Sequence, residues 1–121
     1  MSVQSPTLTI RRLHTIPVLV PMRYALGTSR TRVTSAPLLL LDLETEQGVT
    51  GRSYLFCYVP AAAPAIAKFL DHIEGAVKGQ PVSPVELWRK LATQFTLIGV
   101  QGIVRMAMAA LDVAAWDALA N

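Results

Sequence analysis

Residues 103–119 carry only three polar side chains, Arg105, Asp112 and Asp117. The run reads as a helix, and a helix that is apolar nearly all round has to be covered on more than one side. The residues before it offer little that covers it fully, and nothing after Leu119 reads as a stop signal. The chain therefore reads as a piece of a larger protein, cut near a domain boundary.

At 121 residues the chain is one domain by length. Hydrophobic residues make up 52% and charged residues 16%, against the ordinary charged share of about 25%. That balance excludes disorder and suggests a surface meant for a partner. The net charge of +3 comes from the first sixty residues. There Arg11, Arg12, Arg23, Arg30, Arg32 and Arg52 face only Asp42, Glu44 and Glu46. These arginines are scattered over at least three predicted elements rather than clustered on one, which is not a nucleic-acid footprint. Cys57 is alone, so no internal disulfide forms and a reducing compartment fits. Met1–Ile10 lacks a basic stretch followed by an apolar run, so no leader is expected. The last helix is too short and too charged for a bilayer, which needs about 20 mostly apolar residues. The expected setting is cytoplasmic, with no membrane and no nucleic acid.

Alternation through Leu8–Val18 predicts a first strand ending near Val18 or Val20, where Pro17 and Pro21 break the ladder. Pro21–Pro37 then reads as a long polar loop, mobile if nothing packs on it. Leu38–Glu44 is a second strand, apolar enough at its start to be covered on both faces. Glu46-Gln47-Gly48 is a hairpin turn and Val49–Tyr54 a third strand. Ile66, Phe69, Leu70, Ile73 and Val77 set a first helix with Pro60 and Pro64 near its start. Ser83-Pro84-Val85-Glu86 reads as a capping box, with Glu86 reaching back. It opens a second helix striped with Leu87, Trp88, Leu91 and Phe95. Strands first and helices after predict an α+β fold: a three-stranded antiparallel meander, then a bundle of about three helices.

No catalytic set emerges. His14 and His72 sit on different elements without ligands at metal spacing. Asp112 and Asp117 lie about 140° apart on a helix, so they share no proton; anchoring contacts to a neighbouring domain suits them better. There is no Gly-rich phosphate loop, nucleophile elbow or Cys–His arrangement. Two segments suit a substrate lid: the loop with Leu26, Gly27 and Val33, and Ser53–Pro60, where Tyr54, Phe56 and Tyr58 share one face while the strand lasts. Ordinary core packing is the competing reading for these aromatics.

Four stretches resemble the amino-terminal capping domain of the enolase superfamily, in its mandelate racemase-like branch. They are Val20–Pro37, Leu39–Leu43 leading to Gly48–Gly51, Ser53–Pro60, and Gly102–Met106 with Leu111–Leu119. The resemblance covers Thr7–Asn121. It implies an α+β cap over the mouth of a TIM barrel, with the barrel holding the bases and the magnesium carboxylates. A barrel needs roughly 250 residues, and none lie in this chain. The resemblance thus implies no catalytic residue and no metal ligand here, and magnesium only in the missing barrel domain. It makes Leu26, Val33, Phe56 and Tyr58 pocket walls for a small carboxylic acid, in a protein that forms a homo-oligomer. Arg30 and Arg32 depart from that pattern and favour a more polar acid, such as a sugar acid. The alternative is a stand-alone interaction module that dimerises through its apolar third helix.

Overall fold

The computed structural model of the chain describes residues 7–121. Met1–Pro6, which hold most of the segment read for a leader, lie outside the described residues. Three strands, β1 (Ile10–Gly27), β2 (Arg32–Thr45) and β3 (Thr50–Phe56), precede three helices, α1 (Ala62–Val77), α2 (Pro84–Gln94) and α3 (Gly102–Ala120). The sheet is an antiparallel meander in the order β1-β2-β3. This is the expected α+β architecture.

Strand alternation splits β2 into two faces. Leu39, Leu41 and Leu43 are buried under the helices, while Leu38, Leu40 and Asp42 face the other way. The helices complete the core with Ile66, Leu70, Ile73 and Val77 from α1, Leu87 and Leu91 from α2, and Met108 and Leu111 from α3. The outer face of the sheet stays bare, with Leu40 37% exposed, so the second strand is covered on one face and not on both.

The expected loop at Pro21–Pro37 is a β-ribbon. β1 continues past Pro17 and Pro21 to Gly27, with Pro17 opposite Leu39, Pro21 opposite Ser35 and Leu26 opposite Val33. The reason lies in which side of β1 the prolines occupy. Leu13 N–H points off the sheet and donates to Glu74 Oε2 at 2.7 Å. Pro17 and Pro21 share its parity, so their missing N–H groups fall on the free edge, where no ladder bond is lost. Prolines there also blunt edge-to-edge pairing. Between Pro21 and Leu26 the register shifts, with residues 22–25 standing opposite Thr34 alone.

The capping box does not form either. Ser83 is the N-cap with Pro84 following, but its side chain makes no cap bond. Ser83 N–H already donates to Pro81 O at 2.9 Å, and Glu86 turns to Arg89 at 3.1 Å instead.

α3 crosses β3 closely. Ser53 Oγ donates to Ala110 O, and Arg52 N–H donates to Asp117 Oδ2, each at 2.8 Å. Asp117 thus caps the free edge of β3 inside this domain, rather than reaching to a neighbouring one. Sheet, α1 and α2 together bury the Val104, Ala107, Met108, Leu111 and Ala115 side of the helix, leaving Val113, Trp116 and Leu119 about half exposed. Asp117→Ala is expected to lower stability by about 1 kcal/mol, because it removes a charged acceptor from a strand N–H that then turns to water. Asp117→Asn keeps an acceptor and should recover most of it. Urea midpoints of the two variants make the comparison.

Candidate functional site

The four residues assigned to pocket walls fall into two pairs. At the ribbon end, Leu26 and Val33 are cross-strand partners. Leu26 is 41% exposed and Val33 only 7%. The turn that joins their strands is tied by Thr28, whose Oγ1 accepts N–H from Thr31 (2.9 Å) and Arg30 (3.2 Å) and donates to Thr31 O (2.9 Å). Both residues therefore sit on paired strands rather than in a free loop.

The second pair lies at the end of β3. Phe56 stands opposite Leu38 and takes the outer-face parity of Tyr54. Tyr58 falls beyond the strand, at φ +66°, so it leaves the common face expected for the three aromatics. Its ring nonetheless meets Phe56 edge-to-face, with centroids 4.8 Å apart and planes at 81°. From Val33 to Leu38 is five strand steps, about 17 Å at 3.3 Å per residue. The chain brings Leu26 to Val33 and Phe56 to Tyr58, but does not bring the two pairs together.

Sequence reasoning missed a third feature. On the outer sheet face His14, Ile16, Leu40, Asp42, Arg52 and Tyr54 line an open cavity of about 340 Å³. Cross-strand pairing builds it: His14 opposes Asp42, Asp42 opposes Arg52, and Leu40 lies between Ile16 and Tyr54. The alternation was legible in each strand; the register that joins them was not. Asp42 pairs with Arg52 at 3.5 Å, and Glu44 pairs with Arg12.

Asp42, Glu44 and Glu86 pair with arginines, and Glu74 and Asp117 each accept a backbone N–H. Among the described residues no three His, Cys, Asp or Glu side chains converge. The described residues thus hold no cluster that fits a magnesium ion. His72 lies beside Phe69 and Phe95, at 6.1 Å from each ring. Arg23, Arg30 and Arg32 are exposed on the ribbon, and no carboxylate lies between Pro21 and Pro37. No helix among the described residues is long and apolar enough to cross a membrane.

Cys57, between Phe56 and Tyr58 in sequence, is only 3% exposed, and burial pushes its thiol above the usual range, against a weaker opposing hydrogen bond from the Leu39 backbone. Folding therefore favours the protonated thiol. That contribution is whole below the ordinary thiol range and shrinks as pH rises through it. Iodoacetamide at pH 8 is expected to label Cys57 slowly in the folded chain and rapidly in urea, since the thiolate is the reactive form. Equal rates would contradict its burial.

Residues 9–121 match the family described as mandelate racemase / muconate lactonizing enzyme, N-terminal domain. Two solved structures are 37% identical to the chain with a TM-score of 0.88. One is an enolase from alpha pretobacterium bal199 with bound magnesium; the match covers 94% of this chain and 31% of that one. The other is an enolase from Bradyrhizobium complexed with magnesium and mandelic acid, with 96% and 32% covered. L-talarate dehydratase from Polaromonas sp. JS666, complexed with magnesium and L-glucarate, is 24% identical over 93% of this chain and 32% of that one. Its TM-score of 0.75 speaks for the shared fold. The chain spans about a third of the length of these relatives.

Proposed function

Because the chain belongs to the mandelate racemase / muconate lactonizing enzyme family, as its N-terminal domain, we propose that it is the capping domain of an enzyme that abstracts the proton α to a carboxylate. The cap supplies pocket walls and specificity; the bases and the magnesium belong to a TIM-barrel domain outside this chain. Magnesium held by such a barrel would supply positive charge to the substrate carboxylate as the α-proton leaves. The substrate is a small hydroxy acid, racemised or dehydrated in a cytoplasmic homo-oligomer. The exposed arc of α3 at Val113, Trp116 and Leu119 serves as a contact for the barrel.

The observation that carries this reading is the Phe56–Tyr58 edge-to-face pair, held at the end of β3 with Tyr58 61% exposed. A large apolar surface turned outward suits a pocket wall better than a core. Leu26 adds apolar surface at the ribbon end, and Arg30 and Arg32 there suit the polar substituents of a sugar acid.

Since no base or metal set lies in the chain, the isolated protein is expected to leave the α-proton of mandelate in place in deuterated buffer with magnesium. Proton NMR follows it directly. Exchange above the uncatalysed rate would place catalysis within these 121 residues and refute the assignment.

A further inference from the structure

Val59 N–H donates to Cys57 O at 2.7 Å, with Tyr58 alone between them at φ +66°. This is a γ-turn of the positive-φ kind, which is rare and strained. Tyr58 is the sole non-glycine residue at positive φ among the described residues. For an L-residue the left-handed region is disfavoured by roughly five- to thirtyfold. Such outliers persist only where their surroundings over-determine them.

Both flanks of the turn are tied. Cys57 is buried, and its N–H donates to Pro37 O at 2.8 Å, fastening one side to β2. On the other side Ala62 N–H donates to Val59 O at 3.1 Å, at the start of α1. Yet the side chain presented by this effort is not buried. Core packing therefore does not account for the strain, because an exposed ring gains little from burial.

We infer that the Cys57–Val59 turn is a positioning device. It fixes the Tyr58 ring against Phe56 before any ligand arrives, so that a flat apolar group meets a rigid aromatic corner. Cys57 is the positioning residue, acting through Tyr58. Side chains ordered in advance lose less freedom on binding. The inference rests on reading the two rings as pocket wall, but its test does not need the barrel.

The test compares Tyr58→Gly with Tyr58→Ala in the 121-residue chain by urea unfolding. Glycine ordinarily loses to alanine because its unfolded state is freer. Here the order is reversed: the unfolding constant of Tyr58→Gly is expected to be roughly threefold the smaller, since only glycine is unstrained at this φ. In parallel, NMR follows the Phe56 ring protons, which the neighbouring Tyr58 ring shifts. Cys57→Gly frees the turn and should move those shifts toward the values of Tyr58→Ala, which lacks the ring; Cys57→Ala should keep them in place. Tyr58→Ala as stable as Tyr58→Gly, or Phe56 shifts unmoved in Cys57→Gly, would overturn the inference. If Cys57→Gly does not fold, the Tyr58 pair decides alone. Failure of the capping role would leave these readouts intact, so the two claims fall separately.

Discussion

Gly51→Ala is expected to cost at least about 3 kcal/mol, more than half the stability of a domain at the low end of the usual range of about 5–15 kcal/mol. Gly51 sits on β3 opposite Leu43, where α3 crosses the sheet. A Cβ built there would lie 2.0 Å from Ala114 O and 2.8 Å from Ala118 Cβ. The first obstacle is helix backbone, which cannot swing aside as a side chain would. α3 has to lift off β3 to make room. Doing so breaks the Asp117–Arg52 and Ser53–Ala110 hydrogen bonds and opens the core around Met108, Leu111 and Ala115. Overpacking alone costs about 1–3 kcal/mol, and the lost hydrogen bonds add to it at about 1 kcal/mol each. Gly75 is the natural control. It lies inside α1, and a Cβ there meets nothing within 4 Å. Gly75→Ala should therefore raise stability by about 0.5–1 kcal/mol through helix propensity. Urea midpoints moving in opposite directions for these two glycine-to-alanine changes would establish the close seating of α3. Similar midpoints would contradict it.

The helices and the central strand were legible because their periods are strong. Leu39, Leu41 and Leu43 alternate cleanly, and Ile66, Leu70, Ile73 and Val77 repeat at helical spacing. The ribbon was not legible. Pro17 and Pro21 look like strand breakers until one knows that β1 is an edge strand, and edge position is a property of the sheet rather than of the segment. Glu86 offers a similar lesson. Its spacing from Ser83 suits a capping box, but the N–H it would have met belongs to a turn with Pro81, which spacing alone does not reveal. At the candidate site, the aromatics were visible as a cluster. The positive φ of Tyr58 was not, because no glycine or asparagine marked it. The resemblance, carried by segments such as Ser53–Pro60 and Leu111–Leu119, named the family that the fold and the comparisons bear out.

The capping role is tested most directly by moving the domain. Residues 9–121 would replace the corresponding domain of the Bradyrhizobium enolase, the relative complexed with magnesium and mandelic acid. Where the parent enolase exchanges the α-proton of mandelate, a chain that shapes a pocket and leaves chemistry to the barrel should give a graft that does so too, while the isolated chain does not. Phe56→Ala and Tyr58→Ala in the graft should then lower kcat/KM by about tenfold or more, mainly through KM. Such a pattern marks lost binding that ground state and transition state share. Loss of one well-packed aromatic contact, worth about 1.5–3 kcal/mol on burial, is enough for that change. The measurement is the rate of deuterium incorporation at the α-carbon, followed by proton NMR across mandelate concentrations. The account predicts exchange in the graft, a raised KM in both aromatic variants and none of it in the chain alone. A folded graft that exchanges nothing, or one indifferent to the loss of both rings, would contradict it.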